Sequence, residues 1–128
     1  MERSYMEGTW QKARSFSPAV ITEGAARTIY VAGHGAPTDG DGHSLAGDFE
    51  AQVHQSFANL AATLAAAGAD LADMVTMTVF IIDARYGDRF TEMRADYFPD
   101  GFPASALITV KGFAKPEMMV EIQGIAVV

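Results

Sequence analysis

At 128 residues, 49% hydrophobic and 20% charged, the chain has the length and balance of one globular domain over 1–128, with residues 1–14 read as an N-terminal arm. The absence of cysteine excludes disulfides, thiolate nucleophiles and cysteine-ligated zinc, and a net charge of −7 argues against nucleic acid as the main partner. No apolar run approaches the roughly 20 residues that span a bilayer, and residues 1–20 hold no signal-like apolar segment, so a soluble, cytoplasmic protein is expected.

Residues 19–23 and 27–33 are rich in β-branched and aromatic side chains and predict two short strands, expected to form a hairpin about Glu23-Gly24. The following run from His34 to His43 holds too much Gly, Pro and Asp for regular structure and reads as a solvated loop. His34 and His43 with Asp39 or Asp41 match no established metal spacing, and the Gly-Xaa-Gly pairs at 33–35 and 40–42 do not match a dinucleotide fingerprint.

From Asp48 to Ala67 the residues Phe49, Val53, Phe57, Leu60 and Leu64 recur at helical spacing, with Asp48 as N-cap and Gly68 as the stop. Glu50, Gln52, Gln55 and Asn59 are assigned to the opposite, polar face, with His54 near it as an exposed residue. Residues 74–82 predict a strand with Val75, Met77, Val79 and Ile81 on one face and Thr76, Thr78 and Phe80 on the other. A second helix is expected over about 85–98, placing Phe90, Met93 and Tyr97 together and ending before Pro99. Strands at 104–110 and 118–127 complete the order β-β-α-β-α-β-β.

Helices interspersed among strands, with hairpins at both ends, predict a two-layer α+β domain whose helices cover one face of a mixed sheet. The other face stays apolar, and an apolar face of that extent predicts self-association.

Several segments in order carry a resemblance. They are Tyr30-Val31-Ala32-Gly33, the passage from Leu60 through Gly68 to Val75, the strand Thr78 to Asp83, Phe102-Pro103-Ala104-Ser105-Ala106-Leu107, and Val120 to Val127. Together they resemble the YjgF/Rid family, the reactive-intermediate deaminases acting on enamines and imines, from about Ser15 to Val128. The resemblance implies a chorismate-mutase-like fold, a homotrimer with pockets in the clefts between subunits, a small-molecule substrate or metabolite, and no cofactor or metal.

Carried over position by position, the family's pocket falls on Phe16, Gly33, Ser105, Leu107 and Glu121. Deaminating members typically have tyrosine at the first of these, an arginine gripping the substrate carboxylate where Ser105 stands, and often cysteine where Leu107 stands. Gly33 and Glu121 are retained, and the resemblance gives Glu121 the catalytic role of handling water.

Residue type leaves alternatives open at each position. Glu121, between Val120 and Ile122, is either a pocket residue or an ion-pair partner at a surface or subunit contact, and Gly33 serves either close backbone approach or substrate contact. Arg27, Arg94 and Lys111 are candidate replacements for the missing cation, and their spacing selects none. Three functions follow: hydrolysis of an enamine or imine with a changed substrate preference, binding or another reaction of a small metabolite in the same cleft, and RNA cleavage or translation inhibition, which the negative charge disfavours.

Overall fold

The computed structural model describes residues 1–128. Six strands and two helices run in the order β1 (Glu2–Tyr5), β2 (Val20–Glu23), β3 (Thr28–His34), α1 (Phe49–Ala66), β4 (Met74–Ile81), α2 (Gly87–Ala95), β5 (Ala104–Thr109) and β6 (Val120–Val127). The main sheet has the strand order β3-β6-β4-β5, antiparallel except for the parallel β4–β5 pair, while β1 and β2 form a separate ribbon. Two helices on one face of a mixed sheet give the expected α+β class. No helix is long and apolar enough to cross a membrane.

Neither expected hairpin forms. Val20–Glu23 pairs with Glu2–Tyr5, so the N-terminal arm is itself structured, and β3 pairs instead with the C-terminal β6 from Thr28↔Val127 onward. Gly24 turns the chain at a φ of 92°, and pairing with the eight-residue β6 lets β3 bury Val31 against the helices. At the other end β4 lies between β5 and β6, because α2 returns the chain as a parallel crossover beside β4.

The first helix follows its sequence pattern closely. Asp48 accepts a hydrogen bond from Ala51 N–H at 3.1 Å, satisfying one of the free N-terminal donors, and Gly68 leaves the helix at a φ of 81°. Phe49, Val53, Phe57, Leu60 and Leu64 are all buried, and Phe57 stacks on Tyr97 at 4.1 Å between ring centroids while meeting Phe90 and Phe98 at 6.1 Å. One full aromatic burial of this kind contributes about 2–3 kcal/mol.

Gln52 departs from its expected place on the polar face: it is fully buried. Its Nε2 donates to Leu45 O at 3.0 Å and Glu117 O at 2.8 Å, and its Oε1 accepts from Met119 N–H at 2.8 Å. The amide thus substitutes for strand pairing in the segment that leads into β6.

Two further boundaries differ for local reasons. The stretch expected as one helix over 85–98 begins with a 3-10 turn, Ala84–Tyr86, capped by Asp83, whose carboxyl the Arg85 guanidinium holds down to about 2. Its regular part ends at Ala95, where Asp96 and Tyr97 tighten into a turn by donating their N–H groups to Met93 O and Arg94 O, and Pro99 stands beyond it. In β4 a register shift between Met74 and Thr76 puts Met74, not Val75, with Met77, Val79 and Ile81 in the core.

Replacing Gln52 with Leu keeps the side chain's volume but strands the Met119 N–H and two carbonyls. The expected loss is about 2–4 kcal/mol of stability by urea unfolding, and a loss below about 0.5 kcal/mol would show that water takes over these bonds.

Candidate functional site

A tight turn before β2 sets one wall of the site. A 3-10 turn at Lys12–Arg14 is followed by Ser15 at φ 57°, ψ 39°, a left-handed conformation that disfavours a side chain. Ser15 is held there by burial and by its Oγ, which donates to Thr91 O at 2.7 Å and accepts from Arg94 Nε at 3.2 Å. The chain then runs onto the edge of the main sheet. Ser17 bridges Ala104 in parallel, its N–H donates to Pro103 O at 3.0 Å, and its Oγ donates to Phe102 O at 2.6 Å.

This arrangement brings Phe16 beside β5. Phe16, Ser105 and Leu107 line one cavity of about 230 Å³, open to solvent and also lined by Trp10, Arg14, Thr91 and Arg94. Trp10 meets Phe16 edge to face at 5.6 Å, so the arm anchors locally through this ring while remaining 62% exposed.

Glu121 and Gly33 lie elsewhere. In the sheet Ser105 is level with Met77 and Leu107 with Val79, and both β4 residues face the helices. Glu121 is level with Phe80, one step along from Val79 and Ile122, so it points to the opposite, open face. A single chain therefore brings together three of the five positions on the helix side and the other two on the open side.

The two on the open side touch each other. A Cβ on Gly33 would stand 2.7 Å from Glu121 Cδ and 2.8 Å from its Oε1, so glycine here serves close approach, without a positive φ. Glu121 is half-buried. Around it the open face carries Phe80, Ile125, Ile108 at 43% exposure and Tyr30 at 79%.

Among the three candidate cations the structure distinguishes sharply. Arg27 donates to Ala67 O at 2.6 Å and caps α1, and Lys111 is exposed beyond β5. Arg94 lines the cavity and donates from Nη1 to Ser105 Oγ at 2.7 Å and from Nη2 to Arg14 O at 3.1 Å. It is 2% exposed, and burial, followed by the nearby Arg14 charge, pushes its pKa down to about 10, which leaves it cationic at neutral pH. Its guanidinium also lies 5.2 Å from the Phe90 ring and 6.0 Å from the Phe16 ring.

Thr91 is a cavity residue that the sequence did not bring forward, and Arg94 is one of three candidate cations among which spacing could not choose. A positional signal singles Arg94 out: it lies four residues after Phe90 and next to Met93, inside the buried stripe of α2, where a charge without a carboxylate partner demands a reason.

The loop histidines do not converge on a common site. His34 is held by Ala32 O and Thr63 Oγ1, both at 2.7 Å. His43 pairs with Asp39 at 3.4 Å, and Asp39 also accepts the backbone N–H groups of Asp41 and His43 at 2.9 Å, which draws its carboxyl below the usual range. These bonds account for the exposed loop cluster.

Comparison with known proteins covers nearly the whole chain. The family model described as Endoribonuclease L-PSP matches residues 8–128. The human 2-iminobutanoate/2-iminopropanoate deaminase is 30% identical over 112 residues, 88% of this chain and 79% of the relative. A RutC family protein of Pyrococcus horikoshii is 30% identical over 102 residues, 80% of each. The crystal structure of YyfB, a conserved Rid family protein of unknown function from Yersinia pestis, superposes with a TM-score of 0.87 at 27% identity over all of both chains.

Gly33→Ala tests the contact on the open face. Because the clash is with a flexible side chain, stability is expected to change by less than about 1 kcal/mol, while a crystal structure of the variant shows the Glu121 carboxylate displaced. An unmoved Glu121 would mean that the strand, not the side chain, gives way.

Proposed function

The chain belongs to the Rid family, the Endoribonuclease L-PSP family of the matching model, and on that premise we propose that it is a small-molecule hydrolase of C=N bonds. Its substrate is an imine, or an enamine through its imine tautomer. The pocket is shared between two copies of the chain in a homotrimer, each copy acting as a single domain, and a cytoplasmic location fits this reading.

One observation carries the proposal. The five candidate positions divide between opposite faces of one sheet, with Phe16, Ser105 and Leu107 around a cavity on one side and Gly33 and Glu121 on the other. A pocket containing all five requires a second chain. The open face bears Phe80, Ile108, Ile125 and Tyr30 around Glu121, with Thr76, Thr78 and Gln123 between them, and its exposed apolar side chains favour cover by another copy.

The chemistry needs little more than position and a proton relay. With the imine bound as its protonated iminium, water adds to the carbon and Glu121 takes the water proton, giving the neutral carbinolamine. Glu121 then passes that proton to the amino nitrogen, and as the C–N bond breaks the carboxylate accepts the hydroxyl proton, so that C=O forms and ammonia leaves. Fixed orientation comes from Phe16 and Leu107, whose apolar walls set a substrate preference different from members with tyrosine and cysteine there. The human relative's name, an iminobutanoate and iminopropanoate deaminase, supports this class of reaction.

A second reading is favoured by Ser105: a metabolite binder, or a catalyst of another reaction, in the same cleft. RNA cleavage is disfavoured, since nine basic residues against sixteen acidic ones oppose a polyanionic substrate.

Ammonia release from freshly generated 2-iminopropanoate is expected to be accelerated by the wild-type protein, and Glu121→Gln to lower kcat by about 10²–10⁴-fold. No acceleration over the spontaneous rate, with a ligand-dependent rise in Tm, would favour the binder instead. Light scattering is expected to give a trimer, and a monomer would remove the shared pocket.

A further inference from the structure

We propose that Arg94, carried on α2, is the residue that binds the carboxylate of the substrate, and that Ser105 has become the residue that positions it. This rests on the reading of the cavity as the substrate site, and it assigns that site an acid-bearing ligand. The guanidinium arrives from the helix layer rather than from the strand β5.

The charge balance around Arg94 is the first argument. Arg3, Arg14, Arg85 and Arg89 each sit against a carboxylate, and Arg27 sits against carbonyls at the end of α1. Arg94 is the most deeply enclosed cation described, at 2% exposure, yet all its hydrogen-bond partners are neutral: Ser15 Oγ, Ser105 Oγ and Arg14 O. In a chain with sixteen acidic residues, a buried guanidinium without one is an arrangement that water and dipoles stabilise poorly. An anion from outside supplies what the chain omits.

The cavity lining points the same way. No acidic side chain lines it, and its other cation, Arg14, is paired outside it with Asp88 at 2.7 Å, so the cavity offers Arg94 no counter-ion of the chain's own.

Geometry fits the same ligand. A guanidinium has five N–H groups, and the three bonds described leave one on each terminal nitrogen, the number that the two oxygens of a carboxylate accept. Ser105 Oγ fixes Nη1 at 2.7 Å, while the Ser15 hydroxyl and the Phe90 and Phe16 rings fix the rest of the plane. The cavity of about 230 Å³ suits a short-chain acid, with Phe16, Leu107 and Trp10 receiving its apolar end.

The test compares the binding of pyruvate, the hydrolysis product of 2-iminopropanoate, with that of the uncharged pyruvamide, by calorimetry on the assembled protein. Wild type is expected to bind pyruvate about 10–100-fold more tightly. Arg94→Gln is expected to reduce that ratio to about 1–3, and Arg94→Met combined with Ser105→Arg to restore much of it by returning the cation to β5. Should the variants fail to fold, the Arg94 Nε–H resonance of wild type is expected to move with pyruvate and not with pyruvamide. Equal binding of the two ligands by wild type, a ratio retained in Arg94→Gln, or an unmoved Nε–H resonance would each overturn the assignment. Preference for pyruvate without ammonia release would overturn the hydrolase and keep the carboxylate site. Ammonia release with no such preference would do the reverse.

Discussion

The two-residue repeat of β6 is the constraint on which the rest of the arrangement depends. This strand lies between β3 and β4, so its backbone is paired on both edges and only its side chains have a choice to make. Val120, Ile122 and Ala126 are buried under the helices, and burying the first two contributes about 1.5–3 kcal/mol each. Glu121 is thereby delivered to the open face. A slip of one residue would send a carboxylate into the core and two aliphatic side chains out of it, so register and site position are the same specification. Gly124 helps to pin that register, because a side chain there would collide with Thr76 O and the Met77 backbone.

Opposite this rigid half stands one assembled from pieces distant in sequence. The segment around Ser15, the helix α2 and the edge strand β5 meet through hydrogen bonds to Arg94, Ser15 and Ser17. The left-handed backbone of Ser15 costs on the order of 1–3 kcal/mol and persists only because neighbouring groups over-determine it. The same guanidinium that faces the cavity therefore also holds the cavity's wall. The position of Arg94 and the order of the segment around Ser15 are coupled through that shared contact.

Legibility in the sequence followed the range of the interaction. Helix α1 was readable down to its cap because its apolar stripe and Asp48 are local signals, and β4 was readable but for the shift at Met74. Strand partners were not, since nothing local tells β2 to choose β1 or β3 to choose β6. Gln52 is assigned to solvent by its polarity, although it lies three residues after Phe49 at the border of the apolar stripe, and its partners in the loops at Leu45 and 117–119 give it a reason to be buried. The division of the site has a mixed history. Alternation with Val120 and Ile122 announces the face of Glu121, whereas Ala104-Ser105-Ala106 has too little contrast to announce the face of Ser105. Motif comparison marks Ser105 as a lost cation and leaves Arg27, Arg94 and Lys111 open, because the contact that sets Arg94 against Ser105 joins α2 to β5 and leaves no trace in local spacing.

Moving a guanidinium from an edge strand to a buried helix face alters more than its address. A side chain that emerges from an edge strand keeps rotamer freedom and loses it on binding, at a cost of up to about 2 kcal/mol. Arg94 has spent that freedom during folding, because three polar partners and two rings fix it before any ligand arrives. Its charge is held in a place where water screens it weakly, so attraction to an anion that reaches it is strong. If a carboxylate binds there, it does so in a cavity of about 230 Å³ lined by Phe16, Leu107 and Trp10, which favours a short apolar chain. The same apolar residues that make the pocket look poorer in polar contacts thus act as the filter for a cation set behind them.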